Sequence, residues 1–208
     1  MKTFKILTLI ALFISFTSCD KDKDEPTLIQ VESKKVENLP APQTGGHGQP
    51  ISGEFTKFSF ATGNITTSDT EWDIAFRSTT IIVNGGSSAG LTDEPARNGT
   101  AAGYVASGTM ASVKEVTTSK FKQDAADGFA IPAGSGNGWY NYTGNPDHLI
   151  IPIPGKILVF KTRNGTYAKI EILSWYKDAP ATPDRKTNEG RFYTFNYVYQ
   201  PNEGVTTF

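Results

Sequence analysis

The sequence predicts an all-β domain with little helix, its antiparallel sheets forming a single sandwich-like or partly open barrel unit. Three observations predict it: short runs rich in β-branched and aromatic residues recur along the chain, clusters of Gly, Asn and Pro separate them, and no long segment carries apolar residues at helical spacing. Residues 54–61 set Thr56, Phe58 and Phe60 against Phe55, Lys57 and Ser59, so a strand here turns Phe58 and Phe60 to one face. Residues 72–76 and 79–83 follow as core strands, the second β-branched at nearly every position and stopped by Asn84, Gly85 and Gly86. Residues 109–116 and the apolar run 149–153 read as two more. The clearest hairpin spans 156–175, where Asn164-Gly165 offers the positive φ angles of a tight turn between two apolar runs. The last run, 191–199, places Tyr193, Phe195, Tyr197 and Tyr199 on one face. Residues 87–102 and 122–137, rich in Gly, Ala, Ser and Asp, are expected as long loops.

The N-terminus has a different character. Lys2 and Lys5 precede an apolar run, 6–16, too short to cross a bilayer as a helix, which is the layout of an export signal. The sequence Phe-Thr-Ser-Cys ending at Cys19 has the form of a lipoprotein cleavage site, so residues 1–18 are expected as signal peptide and Cys19 as the lipid-bearing first residue of the mature chain. Cys19 is the sole cysteine, which excludes an internal disulfide, a thiol nucleophile and a zinc-thiolate site. Removing Lys2 and Lys5 from 20 basic residues leaves 18 against 21 acidic ones, a net charge of about −3 that does not steer toward nucleic acid. The mixed-charge run 20–25 reads as a solvated tether. With Pro and Gly frequent through 27–53, residues 19–52 are expected as a lipidated flexible tether and 53–208 as the folded domain.

Catalytic chemistry finds little support. The chain has two histidines, His47 in the expected tether and His148, and it lacks the Gly-x-Ser-x-Gly elbow of many serine hydrolases. An enzyme is not expected. The remaining signal is aromatic density, with Trp139, Tyr140 and Tyr142 shortly before His148; such side chains line apolar ligand pockets and equally form β cores.

Several segments together resemble the HmuY family of haem-binding lipoproteins from Bacteroidetes. They are the lipobox with its charged tether, Trp72-Asp73-Ile74-Ala75-Phe76, Gly138-Trp139-Tyr140-Asn141-Tyr142, the hairpin Asn164-Gly165-Thr166-Tyr167-Ala168-Lys169 with Ser174-Trp175-Tyr176 beyond it, and the final strand. The resemblance implies a non-catalytic outer-membrane lipoprotein, displayed at the cell surface, that holds haem or a related porphyrin and passes it to an outer-membrane receptor. It also implies two histidine ligands to the iron. Here the stretch 117–137 holds no histidine, and the second position falls near Gly144, which has no side chain to coordinate with. His148 and Met110 are the remaining candidate axial ligands, and Tyr140 and Tyr142 the candidate pocket walls; each has an ordinary structural reading as loop or core. A carrier further requires the two layers of the domain to part beside Tyr140 or His148. The alternative is an interaction module that has lost iron ligation and docks an outer-membrane partner or a polymer.

Overall fold

The computed structural model describes residues 27–46 and 48–208. The expected signal segment, Cys19 and His47 lie outside the described residues. Two antiparallel sheets face each other, as the sequence predicts, and among the described residues the only helix is a short 3-10 turn at Thr118–Lys120. The smaller sheet joins β4 (Thr56–Ser59), β5 (Asn64–Thr66), β6 (Ile74–Arg77) and β7 (Thr80–Val83) in the order β5-β4-β6-β7. The larger has the order β1-β13-β12-β11-β8, from β1 (Glu32–Pro40), β8 (Ala102–Ser107), β11 (Lys156–Lys161), β12 (Tyr167–Tyr176) and β13 (Gly190–Gln200). Two ribbons flank them: β2 (Thr44–Gly46) with β3 (Gln49–Ser52), and β9 (Tyr140–Tyr142) with β10 (Ile150–Pro152).

Alternation assigns the faces. Phe58, Phe60, Ile74, Phe76, Ile81 and Val83 from the smaller sheet meet Leu158, Phe160, Ile170, Tyr193, Phe195 and Tyr197 from the larger in one central cluster. Aromatic rings stitch the layers: Phe58 meets Phe195 edge-on at 5.6 Å between centroids, and Phe76 stacks on Phe195 at 5.9 Å. The outer faces are covered as well. Phe55, Trp72, Ala75 and Ile82 lie under Leu91 and Phe129 from the two long loops, which is why β6 and β7 are nearly continuously apolar. Tyr104, Ile157, Val159 and Tyr167 lie under Met110, Val113, Phe121 and Phe208.

Three expectations are corrected. The stretch read as tether contains β1, which pairs with β13 from Glu32↔Tyr199 to Pro40↔Phe192 and buries Leu39. Residues 109–116 do not form a strand. Ser112 and Thr109 exchange hydrogen bonds, Thr109 N–H to Ser112 Oγ at 2.8 Å and Ser112 N–H to Thr109 Oγ1 at 3.1 Å, and this local pairing turns the chain just after β8, the strand actually present. The β11–β12 hairpin forms where expected, with Arg163, Asn164 and Gly165 as its loop, but positive φ is confined to Gly165 (92°), with Asn164 on the ordinary side.

The two long loops are irregular, as expected, and are pinned by a buried ionic cluster. Asp124 accepts the N–H of Val83 (2.9 Å), the N–H of Ala130 (2.8 Å) and the Arg97 guanidinium (2.9 Å), and Arg97 also pairs with Glu94. Burial pushes the Asp124 carboxyl above its usual value even though these donors pull it down. Glu94 is held below its usual value, because hydrogen bonds from Ser88 and Ala89 and the pairing with Arg97 together outweigh the cost of burial.

Candidate functional site

The β9–β10 ribbon stands at one end of the sandwich. Tyr140 and Tyr142 share a face of β9, and the strand carries that face outward past the core: Tyr140 is 8% exposed and packs against Trp139 at 4.9 Å, whereas Tyr142 is 47% exposed. The connection 143–149 is shaped by Gly144 (φ 71°), by His148 N–H donating to Gly144 O (2.7 Å) and by Leu149 N–H donating to Thr143 Oγ1 (2.9 Å). It holds His148 itself at φ 53°, a backbone conformation that non-glycine residues adopt uncommonly. The result brings the His148 ring alongside Tyr142, with Nδ1 hydrogen-bonded to the phenol oxygen.

This pair forms one wall of an open cleft of about 620 Å³, within the range of small-molecule sites. Ile150 continues that wall, Trp175 and Tyr176 from the end of β12 and Phe192 from β13 add apolar surface, and so do Pro40 at the end of β1 and Pro42 just beyond it. Two of these aromatics are fixed from behind. Trp175 Nε1 donates to Ser78 O at 3.0 Å, and Ile150 N–H donates to the Tyr176 oxygen at 3.0 Å. Burial raises the Tyr176 phenol above its ordinary value, so it stays protonated as a neutral wall. Gly190 makes room for the indole, since a Cβ there would stand 2.3 Å from Cζ3 of Trp175. Gly190→Ala is therefore expected to displace the indole into the cleft; the change should appear as a shift in tryptophan emission, with the melting temperature lowered by only a few degrees.

Of the four pocket candidates, the structure brings together Tyr142 and His148. Tyr140 belongs to the central core, and Met110 lies on the far side of the larger sheet. There Met110 packs with Tyr104, Ile157 and Val159, while the buried Lys169 ammonium donates to Met110 O (2.8 Å) and Val113 O (2.6 Å). Desolvation lowers the pKa of that lysine. A Met110–His148 ligand pair is thus excluded by the sheet between them. The layers do not part to admit a flat guest either: the space between them is filled by Phe58, Phe76, Phe195 and their neighbours, and the cleft lies at the end of the sandwich, beside His148. Sequence reasoning missed Trp175, Tyr176, Arg185 and Arg191 as cleft residues. An available signal was the Trp-Tyr pair ending a long strand directly before a polar loop rich in Pro and charge.

Chemically, the cleft offers aromatic surface, two guanidinium groups and one imidazole. No group of three or more His, Cys, Asp or Glu side chains among the described residues is placed to hold a bare metal ion. The donor set suits a flat apolar molecule that brings its own metal: when the Nδ1–H of His148 donates to Tyr142, its Nε2 keeps a free lone pair.

Fold and cleft together define an all-β sandwich with an aromatic-walled cleft at one end. The matching family model is that of HmuY protein, over residues 52–197, and the chain belongs to the HmuY family. That membership agrees with the expectation that the chain is not an enzyme. Among solved structures, the Tannerella forsythia apo HmuY analog is 14% identical, with 84% of this chain and 99% of that one covered and a TM-score of 0.50, a likeness of fold. A Bacteroides fragilis protein described as a putative lipoprotein (16% identical, 84% and 94% covered, TM-score 0.41) and a Bacteroides vulgatus protein described as a putative HmuY-like heme binding protein (13%, 83% and 93%, 0.36) are more distant in shape. No curated protein matches this sequence.

Proposed function

We propose that this chain is a lipoprotein, anchored through Cys19 at the outer-membrane surface, that binds haem or a related porphyrin reversibly in the cleft beside His148 and delivers it for uptake by an outer-membrane receptor. The observation that carries the reading is the Tyr142–His148 pair at the mouth of an aromatic-walled cleft in a HmuY-family fold. His148 Nε2 would hold the iron, with Tyr142 fixing the tautomer and the ring, and Trp175, Tyr176 and Phe192 would cover the porphyrin faces and edges. Iron supplies only coordination here. The protein's own part is to shield one side of the macrocycle while the open side permits release.

Titration of the purified mature protein with ferric haem, read by Soret absorbance and tryptophan quenching, tests this directly. The expected result is a saturable Soret shift that His148→Ala abolishes or moves and that Met110→Ala leaves in place, since Met110 lies behind the larger sheet. Absence of saturable binding in both ferric and ferrous states would overturn the proposal in favour of a ligand-free docking module. Anchoring is tested separately: Cys19→Ala should release the protein from membranes and abolish its incorporation of labelled fatty acid.

A further inference from the structure

We infer that the cleft recognises its ligand through carboxylates, with Arg185 and Arg191 as the groups that bind them, so that the preferred guests are planar apolar molecules carrying two acidic side arms. This rests on the reading of the cleft as a porphyrin site. Of the five arginines, the other three have partners inside the fold. Arg97 pairs with Glu94 and Asp124, Arg163 with Glu71 and Asp73, and Arg77 donates to the carbonyls of Gly53 and Thr92 and lies over the Phe55 ring at 4.3 Å. Arg185 and Arg191 both line the cleft, and neither has a carboxylate within 4.0 Å among the described residues.

The local structure holds both where a ligand's polar edge would lie. Arg191 opens β13 at φ 69° and gives one N–H to Gln43 O at 3.0 Å, leaving the rest of its planar fork of donors uncommitted. Arg185 sits in a turn fixed by Asp184, whose carboxylate accepts Lys186 N–H at 2.8 Å and whose carbonyl accepts Asn188 N–H at 2.8 Å. The acid of the cleft, Glu189, pairs with Lys177 at 3.4 Å and not with either arginine. Arg185 also borders the adjoining hollow beside Asp147 and Asp184, so its side chain stands between the two spaces. A guanidinium takes a carboxylate through two parallel hydrogen bonds, and beside the apolar surface of Trp175 and Phe192 that pairing is less screened than in open water. Such recognition needs no iron. Metal-free macrocycles with two carboxylates should therefore bind, and the same macrocycles with those carboxylates esterified should not.

The test compares protoporphyrin IX, its dimethyl ester and ferric haem on the wild-type chain and on Arg185→Gln, Arg191→Gln and the double variant, by tryptophan quenching. The expected result is roughly tenfold weaker binding of the diacid for each single substitution, with ester binding already weak and unchanged by either. Arg191→Lys, which keeps the charge without the fork, should lie between, and circular dichroism checks that each variant is folded. Equal affinity for diacid and ester in the wild type, or equal losses for both ligands in the variants, would overturn the inference while leaving porphyrin binding intact. Failure of every porphyrin to bind would overturn the inference together with the reading it rests on.

Discussion

Replacing Asp124 with Ala is expected to lower stability by about 3–5 kcal/mol, the combined cost of two buried N–H groups left without acceptors and a buried guanidinium left with one of its two carboxylates. Three donors converge on this one carboxylate: the backbone N–H of Val83 at the end of β7, the backbone N–H of Ala130 in the second long loop, and the Arg97 guanidinium from the first. Alanine leaves the two N–H groups buried without acceptors and Arg97 with Glu94 alone. The two loops that roof Trp72 and Ile82 would then lose their common fastening. For a domain of this size the melting midpoint should fall by about 6–20 °C in scanning calorimetry. A fall of less than 3 °C would show that Glu94 or water takes over the role.

A comparable loss, about 3–5 kcal/mol, is expected for Phe195→Ala, from the other half of the molecule. Phe195 meets Phe58 edge-on, stacks on Phe76 and touches Tyr197 within its own strand, so its ring belongs to both sheets at once. It is 0% exposed, and its neighbour Tyr193 is held in place by its hydroxyl donating to Ser78 O at 2.8 Å. Urea denaturation should show a lowered midpoint with an unchanged slope, the mark of a cavity in an otherwise intact fold. An unchanged midpoint would mean that the sheets close over the gap.

Strands whose two faces differ chemically were the legible part of this fold. Phe58 and Phe60 and the row Tyr193, Phe195, Tyr197 and Tyr199 announce an inward face that the structure places in the central core. Strands lacking that contrast were not legible. In β1 only Leu39 is buried, while Ser33, Lys34, Lys35 and Glu37 point to water along an edge, so the segment reads as a tether. In β8 the small residues Ala102 and Gly103 imitate loop composition; Gly103 is small because the Phe160 ring lies 3.1 Å from where its Cβ would be. The cleft was half legible. His148 and Tyr142 come from one short hairpin and are near neighbours in sequence, but Trp175, Arg185 and Arg191 reach them only through the β12–β13 pairing and the loop that closes it. No local pattern encodes a meeting of that kind.

Because β1 is joined to β13, the first described strand and the last are partners, and Ile29 and Asn202 are tied together by two hydrogen bonds across 173 residues. A sheet completed between the two extremes of a chain has high contact order, which places folding among the slow, millisecond-to-second β proteins. It also gives assembly a direction. Until β13 is in place β1 has no neighbour and the cleft lacks its Arg191–Phe192 side, so the site is complete only once the last described strand has paired.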